Sequence, residues 1–168
     1  MQLFQFILRN LIVGFLSLSV SFALKAEVLN GTVVGISDGD TVTVIDKLSK
    51  QHKVRLMGID APEKSQAFGN EAKQTLSNYI NTKEVSVEYK KLDKYKRIVG
   101  KVTLDGQYIC LRMIREGMAC HYKHYEKEQS KTDRDLYREA EAEANAREVN
   151  LGLWVEKQPV SPWIFRQN

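Results

Sequence analysis

The sequence predicts an α+β chain, mainly β: a small closed barrel of five strands padded by three helices. Three observations carry that reading. Between residues 28 and 57, short runs rich in valine and isoleucine are separated by turn residues, as in an antiparallel meander. From Asn70 the apolar spacing changes from alternation to the helical period, and two alternating runs follow. The length of 168 residues suits one domain with a real core, and 43% apolar with 27% charged residues is ordinary globular composition.

Each element follows from local residues. Residues 1–26 read as an export leader, a signal peptide. Arg9 precedes the apolar run from Leu11 to Leu18, which continues through Val20, Phe22 and Leu24, and Ser21, Ala23 and Ala26 are small enough for cleavage. The run is short for a membrane span, so a secreted or periplasmic protein is expected, with an uncleaved membrane anchor as the alternative. The first strand runs from Val28 to Ile36 and breaks at Ser37-Asp38-Gly39. The second covers Thr41 to Ile45 and turns at Asp46-Lys47. The third, Lys53 to Met57, is stopped by Gly58 and Pro62. Ala72, Leu76, Tyr79 and Ile80 form one helical stripe. Val85, Val87 and Tyr89 alternate as a fourth strand, and Ile98 to Leu104 form a fifth, closed at Asp105-Gly106. A short helix over Leu111–Glu116 ends at Gly117, which suits a left-handed cap. A long helix over Thr132–Arg147 carries Leu136, Ala140 and Ala144 on one face, with Thr132 and Asp135 spaced as a capping box. Trp154 and Trp163 are expected to dock the tail on the domain. Five strands with this padding make a barrel of the OB type, a fold that binds oligonucleotides on one face.

Charge and cysteine content constrain less. The formal charge is +4, and Arg9 and Lys25 of the leader supply half of it. So small an excess does not by itself imply nucleic acid. The placement is more informative, because Lys90, Lys91, Lys94, Lys96 and Arg97 fall within eight positions. Cys110 and Cys120 permit one bridge or two buried thiols, and spacing leaves both open. There is no tandem repeat, low-complexity tract, CxxC pair or His-rich metal signature. His52, His121 and His124 lack ligand spacing with the carboxylates and read as surface or packing residues.

Two acidic stretches carry the chemistry. Asp38-Gly39-Asp40-Thr41 and Asp60-Ala61-Pro62-Glu63 lie about twenty residues apart, with Arg55 on the strand that feeds the second. Alone, Asp38-Gly39-Asp40 reads as a hairpin turn, and the acidic spacing is not that of an EF-hand. The arginine shifts the reading toward an anionic substrate, since a guanidinium fork matches phosphate oxygens. Arg97, in the run Asp93-Lys94-Tyr95-Lys96-Arg97, offers a second clamp. Lys90, Lys91 and Lys94 suit the phosphate backbone, and Tyr95, Tyr122 and Tyr125 suit unpaired bases.

These pieces together resemble the staphylococcal nuclease (thermonuclease) family. The likeness rests on Ile36-Ser37-Asp38-Gly39-Asp40-Thr41, Arg55-Leu56-Met57-Gly58-Ile59-Asp60-Ala61-Pro62-Glu63 and Asp93-Lys94-Tyr95-Lys96-Arg97, followed by Arg115-Glu116-Gly117-Met118-Ala119 and Asn150-Leu151-Gly152-Leu153-Trp154. It covers about residues 27–155, in order, so residues 27–168 read as one nuclease-like domain with a tail at 156–168. The resemblance implies an OB barrel and calcium held by the carboxylates of Asp40 and Asp60 and the main-chain carbonyl of Ala61. It implies Glu63 as general base and Arg55 and Arg97 as the phosphate-binding pair. The activity it implies is sugar-nonspecific hydrolysis of DNA and RNA, preferably single-stranded, to fragments ending in 3′-phosphates, by a monomer. Ala61 stands where the family commonly has threonine, and Lys96 stands in place of a glycine. Tyr125 has a counterpart among the family's nucleotide-site tyrosines, whereas Tyr122 is offset and Lys123 fills the other slot. Two other readings compete: an OB module that holds single strands without cutting, and a structural calcium-binding envelope protein. Neither has use for Glu63 together with both arginines.

Overall fold

The structure, a computed structural model, describes residues 26–146 and 151–167. The leader, apart from Ala26, lies outside the described residues, as do Arg147 and Asn150.

The expected meander is present. Strands β1 (Glu27–Ile36), β2 (Thr41–Asp46) and β3 (Gln51–Leu56) pair antiparallel in sequence order. Valines at alternate positions explain it: Val33, Val42, Val44 and Val54 are fully buried on one face, and β-branched side chains fit a pleated, half-buried surface. After the two-residue strand β4 (Ile59–Asp60) comes helix α1 (Gly69–Ile80), which buries Ala72, Leu76 and Ile80. Strand β5 (Glu84–Leu92) returns to pair with β1, and β6 (Ile98–Leu104) pairs with β5 across a bulge between Tyr89 and Lys91. The barrel closes where β6 lies parallel to β3, with Val54 opposite Ile98 and Arg55 opposite Val99. This is the five-stranded OB-type barrel that the sequence predicts. A short strand β7 (Gln107–Tyr108) extends β6 as a hairpin.

Helix α2 (Ile109–Arg115) ends as expected. Gly117 adopts φ 69°, its amide bonds Ile114 O at 2.9 Å, and the Met118 amide bonds Met113 O at 2.9 Å, a Schellman closure. Strand β8 (Cys120–His121) pairs with β4. The long helix α3 spans Lys131–Asn145, and its cap differs from the expectation. Ser130, not Thr132, is the N-cap: its hydroxyl accepts from the Asp133 amide at 3.0 Å and donates to the Asp133 carboxylate at 2.9 Å. Both serine and threonine satisfy the local pattern here, and the Lys101–Asp133 ion pair at 2.6 Å fixes the choice from across the molecule. Beyond the three expected helices, residues Pro162–Phe165 form a further short helix α4, and 3₁₀ turns occupy Lys123–Glu128 and Gly152–Val155.

Candidate active site

The two acidic stretches meet at one end of the barrel. Asp40 immediately precedes β2, and its carbonyl accepts the Leu56 amide at 2.8 Å. Asp60 ends β4, two residues past the turn that follows β3. Gly39 permits the approach: a Cβ there would stand 2.6 Å from Ala61 Cβ and 2.8 Å from Ala72 Cβ. With no side chain in the way, Asp40 Oδ2 reaches the Ala61 amide at 2.9 Å and ties one acidic stretch to the other. Pro62 holds Ala61 away from helical backbone, so the chain passes the acids extended.

Strand period and barrel closure bring the arginines to the same rim. Val54 and Leu56 face the core, so Arg55 between them faces the other way. Val99 sits opposite Arg55 in the parallel pairing, and Arg97 lies two residues before it, on the same side of the pleat. Asp40, Arg55, Asp60, Ala61, Glu63 and Arg97 all line one cleft of about 720 Å³, whereas Lys90 lies outside its lining. Lys94, Tyr95, Tyr122 and Tyr125 line the same cleft.

The groups in the cleft are bound to one another. Arg55 Nη1 lies 3.0 Å from Asp40 Oδ2, and Nη2 lies 2.9 Å from Asp60 Oδ1. Nη1 also donates to the carbonyls of Ile59 at 2.9 Å and Leu56 at 3.2 Å. Burial pushes the Asp40 carboxyl up to about 7; Arg55 opposes this, while neighbouring Asp38 and Asp60 add to it. One guanidinium is therefore short of the positive charge this acid cluster calls for.

A second guanidinium supplies more. Arg166, just past α4, donates from Nη2 to Asp60 Oδ2 at 2.7 Å and from Nη1 to Asp60 Oδ1 at 3.2 Å and Glu63 Oε1 at 2.7 Å. Its pKa is raised, first by the bond to Asp60. Sequence reasoning missed this residue. It belongs to no motif, and a contact spanning 106 residues leaves no local trace. The tail position of Trp163 was the available signal: its ring stacks on Tyr122 at 5.4 Å and 18°.

Arg97 is held by its own turn. Nε donates to Asp93 Oδ2 at 2.7 Å, and the Arg97 amide bonds Asp93 Oδ1 at 2.9 Å. Partial burial works upward on the Asp93 carboxyl but is outweighed by these bonds, so its pKa is lowered. Lys96, standing in the place of the family glycine, takes the left-handed conformation with φ 62°. The turn that glycine would make is therefore kept, at the cost of strain in a residue with a Cβ. Tyr95 is 68% exposed, with Lys94 Nζ 5.0 Å and the Arg97 guanidinium 5.4 Å from its ring centre.

The remaining candidates resolve as packing or surface residues. His52 bonds Asp46 at 2.8 Å, His121 is buried against Gln129 at 2.9 Å, and His124 stacks on Tyr122 at 6.0 Å. Cys110 and Cys120 are both buried and both free thiols. Burial pushes the Cys120 thiol up to about 12.

Among the described residues, no group of three or more histidine, cysteine or carboxylate side chains is gathered as a metal cage. Asp40 and Asp60 nevertheless converge on a single guanidinium, and Arg166 stands among the acids as a built-in positive charge. The groups of this cluster able to hold a cation, the Asp40 and Asp60 carboxylates, offer only oxygens. A pair of carboxylates with one main-chain carbonyl fits a hard cation that completes its shell with water and phosphate.

Comparison with known proteins places this chain in a family. The family model described as staphylococcal nuclease homologue matches residues 53–156. An uncharacterized endonuclease of Haemophilus influenzae is 39% identical over 97% of this chain and 85% of its own length. A micrococcal nuclease of Shigella flexneri is 40% identical over 82% of this chain and 80% of its own. A staphylococcal-like nuclease of Arabidopsis thaliana is 33% identical over 72% of this chain but only 35% of its own length. The fold and these relatives define a nuclease-type barrel. The chain belongs to the staphylococcal nuclease family.

Proposed function

We propose that this protein is a calcium-dependent, sugar-nonspecific endonuclease that hydrolyses DNA and RNA, with single strands preferred, to fragments ending in 3′-phosphates. The observation that carries the reading is the convergence of Glu63, Arg55, Arg97 and the Asp40–Asp60 pair on one cleft. Relatives named as nucleases and endonucleases support it.

Phosphodiester hydrolysis needs an activated water and donors for the charge that grows on the phosphoryl oxygens. A calcium ion held by Asp40, Asp60 and the Ala61 carbonyl would polarise a phosphate oxygen. Glu63, 40% exposed at its side chain and facing the cleft, takes the proton from the attacking water. Arg55 and Arg97 donate N–H bonds to the phosphoryl oxygens, a service worth about 3–4 kcal/mol each when the donors are preorganised. Tyr95 and Tyr125, exposed beside the cleft, stack unpaired bases, and Lys94 follows the backbone. The protein acts as a monomer. Its leader at residues 1–26 directs it out of the cytoplasm, which N-terminal sequencing of the mature protein checks.

The decisive assay is Glu63→Gln on single-stranded DNA and RNA, with calcium and then with chelator. The variant is expected to bind calcium and oligonucleotide as the parent does, and to lose about 100-fold or more of the cleavage rate. Cleavage at the parent rate removes Glu63 from the role of base. A parent that binds strands but never cuts them makes the protein a holding module instead.

A further inference from the structure

The C-terminal tail occupies the active site at chemically distinct points. Arg166 places its guanidinium on Asp60 and Glu63, the proposed cation ligand and general base. Trp163 lies flat on Tyr122, a ring that His124 also stacks on and Tyr125 meets edge-on at 5.1 Å. A nucleobase arriving at Tyr122 finds it already engaged. Between these points and the barrel, Gln66 acts as a clasp: its Oε1 accepts the Glu63 amide at 3.2 Å and its Nε2 donates to the Val160 carbonyl at 2.6 Å. The tail thus offers a positive charge to the acids and an aromatic plane to the tyrosine, the chemistry that a cation and a base would bring.

Contacts of this kind are displaceable. Arg166 and its partner Glu63 are each 40% exposed at the side chain, and so open an ion pair contributes little net stability; at buried Asp60 an arriving cation would replace the positive charge that Arg166 supplies. Displacement is also needed for the chemistry, because the Glu63 oxygen that accepts from Arg166 Nη1 at 2.7 Å is the one a water would have to reach.

We propose that residues 160–166 are an intramolecular occupant of the active site, which the cation and the nucleic-acid strand must displace before cleavage. This rests on the calcium reading above. A tail docked about nine-tenths of the time weakens the apparent calcium affinity about tenfold relative to a chain in which it cannot dock.

The test is calorimetric calcium titration of the full protein, of Arg166→Ala and of Trp163→Ala, with amide hydrogen exchange of the tail. Trp163→Ala changes no charge and touches no proposed ligand of the ion. Both variants are expected to bind calcium about tenfold more tightly than the parent. In the parent, calcium is expected to speed exchange of the Ile164, Phe165 and Arg166 amides, which close the α4 turn through Ser161 and Pro162. Tighter binding by Arg166→Ala alone reduces the effect to lost positive charge and overturns the occupant. Equal affinity in all three proteins, or exchange that calcium leaves unchanged, overturns it while the calcium reading stands. Failure of all three to bind calcium shows that the ion assignment is at fault and takes the inference down with it.

Discussion

At the scale of single residues, the two arginines hold the same proposed role in different settings. Arg55 is 15% exposed at its side chain and neutralises Asp40 and Asp60, of which Asp60 is fully buried. Removing one partner of a buried pair typically costs about 3–5 kcal/mol, because the remaining charge is stranded. Arg55→Ala is therefore expected to lose both stability and turnover, read from urea unfolding beside a cleavage assay. Arg97 is 29% exposed and, among the described residues, pairs with Asp93 of its own turn. Arg97→Ala is expected to lower the rate by about 100-fold or more while the unfolding midpoint moves little. Matching losses in the two variants would show that the split between structural and substrate-facing roles is wrong. The motif residues were legible because each lies within a short acidic or basic stretch. Their present partners were not, since which acid an arginine chooses depends on barrel closure.

At the scale of elements, caps and turns record what local sequence decides and what it leaves to the fold. Thr132 was the cap expected for α3, but the Asp133 that ties to Lys101 of β6 takes its cap from Ser130. Ser130→Ala is expected to cost about 1 kcal/mol in chemical unfolding, and Thr132→Ala a few tenths at most. The reverse order would restore Thr132 as the cap. In the β5–β6 turn, Lys96 stands at φ 62°, where an L-residue pays about 1–2 kcal/mol that glycine avoids. Glycine also gives the unfolded chain more freedom, offsetting about 0.4–1 kcal/mol. Lys96→Gly is therefore expected to stabilise the protein by about 0.5–1 kcal/mol, seen as a raised thermal midpoint with β5 and β6 otherwise unchanged. Strands were readable from alternating valines, and Gly117 from the period that precedes it. Two-residue pairings such as β4 with β8 are too short to leave any period, and the sequence contains no sign of them.

At the scale of the whole molecule, long-range packing sets the response to pH and the part of the site that sequence could not show. His121 is buried, and burial lowers its pKa from 6.5; the bond to Gln129 and the charge of Glu141 recover only part of the shift. The unfolded chain then binds the proton more readily, so the stability His121 confers is present above about pH 6.5 and is lost as pH falls through its lower folded value. Asp40 runs the other way: its raised pKa makes its contribution fall as pH rises from about 4 toward 7. His121→Phe is expected to flatten the loss of stability between about pH 7 and pH 5 relative to the parent, measured as the slope of urea midpoint against pH. An unchanged slope would mean that His121 is not the group responsible. The barrel itself was legible, since five alternating runs have few ways to bury their valines. The parallel closure of β6 on β3 was not, because nothing near either strand names the other. Arg166 was hidden for the same reason. That β3–β6 seam has a final consequence. Arg55 and Arg97 share a rim only once it is zipped, so a half-folded chain holds the parts of a cutting machine in separate places. Regain of cleavage on refolding therefore works as a stopwatch for the moment the cylinder shuts.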